Sequence, residues 1–166
     1  MSQIEDTTDR AIDARVLFDE ADLARINEFS WNVISYGNTS YARGYIANGD
    51  PRIRVYMHRL ITKVDTGMEV DHINGNGLDN RRSNLRIANR TINNLNRHHS
   101  TGVSRFVGVY FCKDTNRWRA EAMSNGKRFR LGRFDTETEA ANAAALKRQE
   151  LIEIELKKLI MRKVDQ

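Results

Sequence analysis

The sequence has one cysteine, one proline and no apolar run of the roughly 18 residues that a membrane-spanning helix needs. A single thiol, Cys112, excludes an internal disulfide and any zinc site built from cysteine pairs, and it fits a reducing cytosol. No charged leader followed by an apolar stretch is present, so secretion is not expected. There is no internal repeat and no low-complexity segment. Acids are scarce where bases are dense: residues 101–135 hold three acids against eight Lys or Arg, whereas residues 1–30 hold eight acids against three bases. With a formal charge of +5 and a pI near 9.6, the chain favours a polyanionic partner. Its 166 residues suffice for one ordinary domain or two small ones.

Over residues 19–29 the spacing of Leu23, Ile26 and Phe29 predicts a short helix with Asp19 as its N-cap, whose acids make it a poor surface for DNA. Residues 31–34, 41–46 and 53–57 are β-prone, separated by Gly37-Asn38 and by the 48–51 turn, which predicts a small antiparallel sheet. A helix then begins at Met57, turns Leu60, Ile61 and Val64 inward and stops at Thr66-Gly67.

The richest stretch is 71–97, DHINGNGLDNRRSNLRIANRTINNLNR. Asn, Gly, Asp and Arg cannot build an apolar core, so polar groups are being positioned. Residues 70–73 form a strand that ends in Asp71 and His72, Gly75 and Gly77 permit a positive-φ return loop, and a second strand leads into a helix carrying Ile92, Asn93 and Leu95. A histidine near neutral pKa can take a proton from water and an adjacent carboxylate can anchor a cation, which is what phosphodiester hydrolysis requires.

VDHINGNGLDNRRSNLR, with MHRLI before it and Asn93 nine residues after Asn84, closely resembles the HNH endonucleases, particularly those of phages and mobile introns. The resemblance implies that His72 is the general base, that Asp71 and Asn93 are the protein ligands of one divalent cation, and that Asn84 braces the loop of a ββα-metal unit. Oxygen donors with water completing the shell imply Mg²⁺ or Mn²⁺ rather than zinc. His58 also matches the pattern, either within the catalytic group or as a buried histidine that braces the fold. Arg81, Arg82, Arg86 and Arg90 are candidate phosphate contacts or solvated charges. If the gene is carried by a phage, the location is the host cytosol.

Residues 97–104 are polar and read as a linker. Three further β-prone runs follow, 106–111, 117–123 and 127–131, divided by 113–116 and by the hairpin signal Asn125-Gly126. In the second run Trp118, Ala120 and Ala122 alternate with Arg117, Arg119 and Glu121, giving one apolar and one charged face. Residues 135–139 open a helix with acids in its first turn, and helical character continues to Leu159 as one helix or two.

Val107-Gly108-Val109, Trp118-Arg119-Ala120, Leu131-Gly132 with Phe134, and the alanine-rich helix resemble the Apetala-two/ethylene-response-factor DNA-binding domain. The resemblance implies a three-stranded sheet in the major groove of double-stranded DNA, read by Arg117, Arg119, Glu121, Arg128 and Arg130 with Tyr110 and Lys113 nearby. Trp118 belongs equally to the core or to the contact face. Val107 and Tyr110 stand where the plant domains have arginines, so the target sequence does not carry over.

Together these readings give an α+β chain, a ββα-metal HNH module followed by a three-stranded antiparallel sheet packed on a C-terminal helix. The expected divisions are an acidic helical segment at 1–30, the nuclease at 31–97, a linker at 98–104 and the DNA-binding domain at 105–166. The expected function is a site-specific, metal-dependent DNA endonuclease of the homing type. The alternative is a DNA-binding regulator with an inactive nuclease module. Such a protein would act as a monomer on DNA, or as a dimer through the C-terminal helix, with no membrane role. In this reading, removing residues 104–166 costs site preference more than chemistry.

Overall fold

A computed structural model describes residues 12–46, 54–65, 67–98, 100 and 102–164. The 48–51 turn, Ile53, Thr66 and the linker residues His99 and Thr101 lie outside the described residues. The chain mixes helix and sheet and forms two compact units, residues 1–87 and 88–166. Among the described residues no helix is long and apolar enough to cross a membrane.

In the first unit, β1 (Phe29–Tyr36) and β2 (Thr39–Ile46) pair antiparallel along their whole length around Gly37, whose φ of +56° suits a tight turn. The short strand β3 (Arg54–Tyr56) lies beside β2, completing the antiparallel sheet expected from the sequence. The expected 19–29 helix is shorter: a 3-10 turn, Glu20–Asp22, leads into α1 (Leu23–Ile26), and Phe29 instead opens β1. Asp19 makes no cap for it. Its carboxylate accepts the Arg82 amide at 2.7 Å, because the segment is drawn against the central loop.

Helix α2 (Met57–Thr62) buries Met57 and Ile61. It ends earlier than the Thr66-Gly67 stop expected, since Lys63 enters the left-handed region at φ 49°. Strand β4 (Glu69–His72) follows and pairs with β5 (Leu85–Ala88) across a long loop. Val16, Ile26, Ala42, Met57, Ile61, Leu78 and Leu85 form the core, so the described part of the acidic segment, residues 12–30, packs into this unit. Leu17 clamps the loop directly: its amide donates to the Leu78 carbonyl at 2.9 Å and its carbonyl accepts the Asn80 amide at 2.7 Å.

The two loop glycines serve different ends. Gly75 has φ +74°, a backbone that a β-carbon resists, whereas Gly77 does not take a positive φ. Gly77 is needed for space, because a β-carbon there would run into the Ser40 carbonyl and the Tyr41 ring. Gly77→Ala therefore destabilises the protein by about 1–3 kcal/mol through overpacking, measured by urea unfolding. An unchanged midpoint would contradict this close approach.

In the second unit, α3 (Arg90–Leu95) is capped by Asn89, whose side chain accepts the Ile92 amide at 2.9 Å. Strands β6 (Val109–Cys112), β7 (Arg117–Ser124) and β8 (Lys127–Phe134) form an antiparallel sheet in that order. Asn125 (φ 49°) and Gly126 (φ 75°) give the β7–β8 turn two consecutive positive φ values, as the Asn-Gly signal predicts. One continuous helix, α4 (Glu137–Val164), packs on the sheet. Its start is a reciprocal capping box: the Glu139 carboxylate accepts the Thr136 amide at 3.1 Å and the Thr136 hydroxyl accepts the Glu139 amide at 3.2 Å.

Two apolar clusters hold this unit. Val109, Ala120, Ala140, Ala141 and Ala144 join sheet to helix, and Ala88, Ile92 and Leu95 share a second cluster with Ala122, Leu151 and Ile152. Helix α3, which the sequence assigns to the nuclease, thus buries its apolar face in the core of the C-terminal unit. Ser104, at the end of the expected linker, is also built in, donating to Glu137 at 2.7 Å and accepting the Phe106 amide at 3.0 Å.

Candidate functional site

Strand β4 delivers Asp71 and His72, both buried, at the mouth of the loop, as the sequence predicts. The His72 ring meets His58 edge-on with centroids 5.0 Å apart and lies 6.0 Å from the Tyr41 ring. His58 in turn stacks on Tyr56 at 5.4 Å. Burial lowers the His72 pKa, opposed by its hydrogen bond with Asn80 and by the charges of Asp71 and Asp79. The imidazole is therefore kept neutral, the state that can accept a proton.

Asn80 fixes which nitrogen does so. It is fully buried, its amide nitrogen donates to the Leu78 carbonyl at 3.1 Å, and its Oδ1 stands 3.4 Å from His72 Nε2. An amide oxygen only accepts, so the proton resides on Nε2 and Nδ1 is the basic nitrogen. Sequence reasoning missed Asn80. One Asn among many in this stretch carries no local signal, and its role appears only when the loop folds back on His72.

Asn84 hydrogen-bonds across the loop. Its Oδ1 accepts the Asn74 amide at 3.0 Å, while its Nδ2 donates to Asn74 Oδ1 at 3.0 Å and to the Asp79 carbonyl at 2.8 Å. Three of the four candidate arginines of this stretch are paired with carboxylates. Arg81 pairs with Asp79 at 2.7 Å, Arg82 with Asp22 at 2.6 Å and Arg86 with Asp71 at 2.5 Å. Arg81 and Arg82 still expose about half of their side chains and can reach a phosphate, whereas Arg86, at 17%, is oriented inward. Asp79 is held below the usual carboxylate range, first by its hydrogen bonds with Arg81.

His58 is pushed down to about 3 by burial, then by the neighbouring His72 and Arg59. Its folded-state pKa lies below its ordinary 6.5, so between those values the unfolded chain binds a proton that the native chain does not. Stability is thus full above about pH 6.5 and falls as the pH drops toward 3. Urea unfolding at pH 7 and pH 5 measures this window, which lies above the titration of the carboxylates. The midpoint is expected to fall at pH 5, and to fall less in His58→Asn. A midpoint that rises at pH 5 would contradict the burial of these imidazoles.

The second unit presents the other expected surface. Cross-strand partners share a face, and the pairs Tyr110↔Arg119↔Arg133 and Glu121↔Arg130 with Met123↔Arg128 mark the charged side. The register steps from Ala120↔Gly132 to Glu121↔Arg130, which leaves Leu131 as an extra residue opposite one position of β7. Because of this bulge Arg133 joins Arg119 on the charged side. Strict alternation from Arg128 and Arg130 misses it.

Arg119 also lies over the Tyr110 ring at 5.4 Å, and Arg117 pairs with Asp135 at 2.9 Å. Lys113, Arg128 and Arg130 are exposed. Glu121 is only 6% exposed, its carboxylate 3.9 Å from both Arg119 and Arg128, so it organises those cations. Trp118 is partly buried against the alanine cluster and packs on Phe111 with centroids 5.1 Å apart. Asn93 lies on α3 and Arg90 is exposed at its start.

Among the described residues, no three His, Cys, Asp or Glu side chains converge as a metal cage. The oxygen donor beside His72 at the end of β4 is the Asp71 carboxylate, which accepts from Arg86 Nε at 2.7 Å. That donor suits a hard cation that keeps most of its own water.

Residues 55–95 match the family model of the HNH endonucleases, and residues 104–154 match that of the AP2 domain. An uncharacterized HNH endonuclease of Acanthamoeba polyphaga mimivirus is 28% identical over 128 residues, covering 76% of this chain and 64% of that protein. The chain therefore spans less than two thirds of that relative's length. No solved structure matches the chain.

Proposed function

We propose, for a chain that carries an HNH endonuclease region followed by an AP2 domain, a site-specific DNA endonuclease of the homing type acting on double-stranded DNA. The observation that carries this reading is His72: a buried imidazole kept neutral, oriented by Asn80 and set beside Asp71 on the same strand end. In the proposed step, His72 Nδ1 takes a proton from water as the water oxygen bonds to phosphorus and the bond from phosphorus to the leaving sugar oxygen breaks. Asp71, with Asn93 assigned by motif spacing, would hold Mg²⁺ or Mn²⁺, which supplies charge stabilisation at the scissile phosphate and the leaving oxygen. His58 packs against His72 and limits how its ring can turn, and Asn84 keeps the loop closed.

The proposed organisation follows the motifs, a ββα-metal nuclease module to about residue 97 and a DNA-reading sheet from about 105. Specificity would come from Arg119, Arg128, Arg130 and Arg133 at base edges, with Lys113 and Arg117 toward phosphates. Cleavage of plasmid and linear duplex in Mg²⁺ tests the reading. Activity is expected to vanish in excess EDTA and in Asp71→Ala, and to return to the wild type when Mg²⁺ is restored. Undiminished cutting in EDTA would overturn the metal assignment. DNA binding with no cutting under any divalent cation would favour a regulator with an inactive nuclease module.

A further inference from the structure

The second unit contains a groove of about 540 Å³ that neither the HNH motif nor the sheet's charged face accounts for. It lies where β6 has run out and the remaining edge of β7 faces α3, and its walls include Arg90, Asn94, Arg97 and Arg148. The central member is Arg148. It rises from α4, and one guanidinium nitrogen donates to the Leu95 carbonyl at 3.2 Å and the Arg97 carbonyl at 2.7 Å, closing the C-terminal end of α3. Its Nε is buried without a hydrogen-bond partner, and no carboxylate pairs with Arg148 among the described residues. Arg90 and Arg97 are exposed, and they too carry no ion pair there.

Arg81, Arg82, Arg86 and Arg117 each find an acid within 3 Å, whereas the three arginines of this groove are gathered in one place without such a partner among the described residues. The one acid on the groove wall, Glu121, sits 3.9 Å from Arg119 and from Arg128, which offset its charge. Tyr110 and Glu121 also belong to the charged side of the sheet, so the groove opens from the surface proposed to read DNA.

We infer that this groove is a second phosphate site, in which Arg97 and Arg148, joined by Arg90, hold a backbone phosphate of the DNA strand that passes off the sheet. The inference rests on the proposed DNA-binding function. Contacts of this kind fix register and carry no sequence information, and each releases counterion. Groove and sheet face would together hold the duplex from two sides of the β7 edge.

The test is binding of the full-length protein to two unrelated duplexes over a KCl series, with chelator present so that no DNA is cut. Arg97→Gln is expected to flatten the slope of log affinity against log salt by about 0.9 and to weaken both duplexes equally. Arg148→Gln should flatten it similarly, and Arg148→Lys, which keeps the charge, should restore most of the slope. Thermal melting separates lost folding from lost contact for the Arg148 variants, and Arg97→Gln leaves the α3 carbonyl contacts in place. If the wild-type protein binds neither duplex, the DNA-binding function itself is overturned. If it binds and both glutamine variants keep the wild-type slope, the groove assignment alone is overturned.

Discussion

His72→Ala is expected to lower DNA cleavage by about 10²–10⁴-fold while duplex affinity stays at the wild-type level. The magnitude follows from the general-base role proposed for the imidazole. A positioned base with the right protonation state removes the proton as the water attacks, and bulk water replaces it poorly. The selectivity of the effect follows from burial: His72 has little surface to offer a duplex, whereas the affinity-bearing cations lie elsewhere. His72→Gln, closer in volume, should lose cleavage to a similar extent, which separates the loss of the base from the opening of a cavity. Asn80→Ala is the weaker companion, since it removes the partner that holds the proton on Nε2 and leaves the imidazole itself.

Removal of residues 104–166 is expected to abolish cleavage of all DNA, with a loss of about 10²-fold or more, and not merely to relax its selectivity. The motif alone suggests the opposite, a nuclease that keeps its chemistry without its DNA-reading partner. The structure changes the expectation because α3 is six residues long and its apolar face, Ile92 and Leu95, packs on Ala122, Leu151 and Ile152. An isolated helix of that length does not hold together in water. Polar contacts reinforce the packing: the Thr91 hydroxyl donates to Asn125 at 2.7 Å, and Asn125 donates to the buried Glu155 at 3.1 Å. Without the sheet and α4, Asn93 would lose its fixed place on the helix. A truncated protein that cuts random DNA at the full rate would contradict the dependence of α3 on the C-terminal core.

The parts of this fold that were legible in the sequence are those set by neighbours in the chain. Gly37-Asn38 and Asn125-Gly126 mark their hairpins because turn geometry is local. The DH pair at a strand end, the order of strands and α3, and the acidic start of α4 follow from period and capping for the same reason. What was not legible depends on distant partners. Asp22 holds Arg82 from 60 residues away, so the acidic N-terminal segment, unfit for DNA in isolation, turns out to brace the loop of the candidate site. Asp71 similarly engages Arg86 from 15 residues away, a cation that composition counts only as free positive charge.

Arg133 was missed, and the enclosure of Glu121 was not foreseen, for another reason. Alternation assumes an unbroken register, and the bulge at Leu131 resets it, bringing Arg133 onto the charged side. Glu121 keeps its side but is enclosed by Arg119 and Arg128, a property of packing and not of period. The burial of α3 in the C-terminal core was hidden because its apolar residues, Ile92 and Leu95, fit either unit equally well by pattern.

The central claim is that the strand end bearing Asp71 and His72 cuts DNA at sites selected by the C-terminal sheet. Strand-resolved mapping of the ends produced from a DNA library in Mg²⁺, with wild type and His72→Ala side by side, tests it most directly. Discrete ends at a recurring sequence from the wild type, and none above background from the variant, are the predicted result. Equal cutting by the two proteins, or wild-type ends scattered without sequence preference, would contradict it.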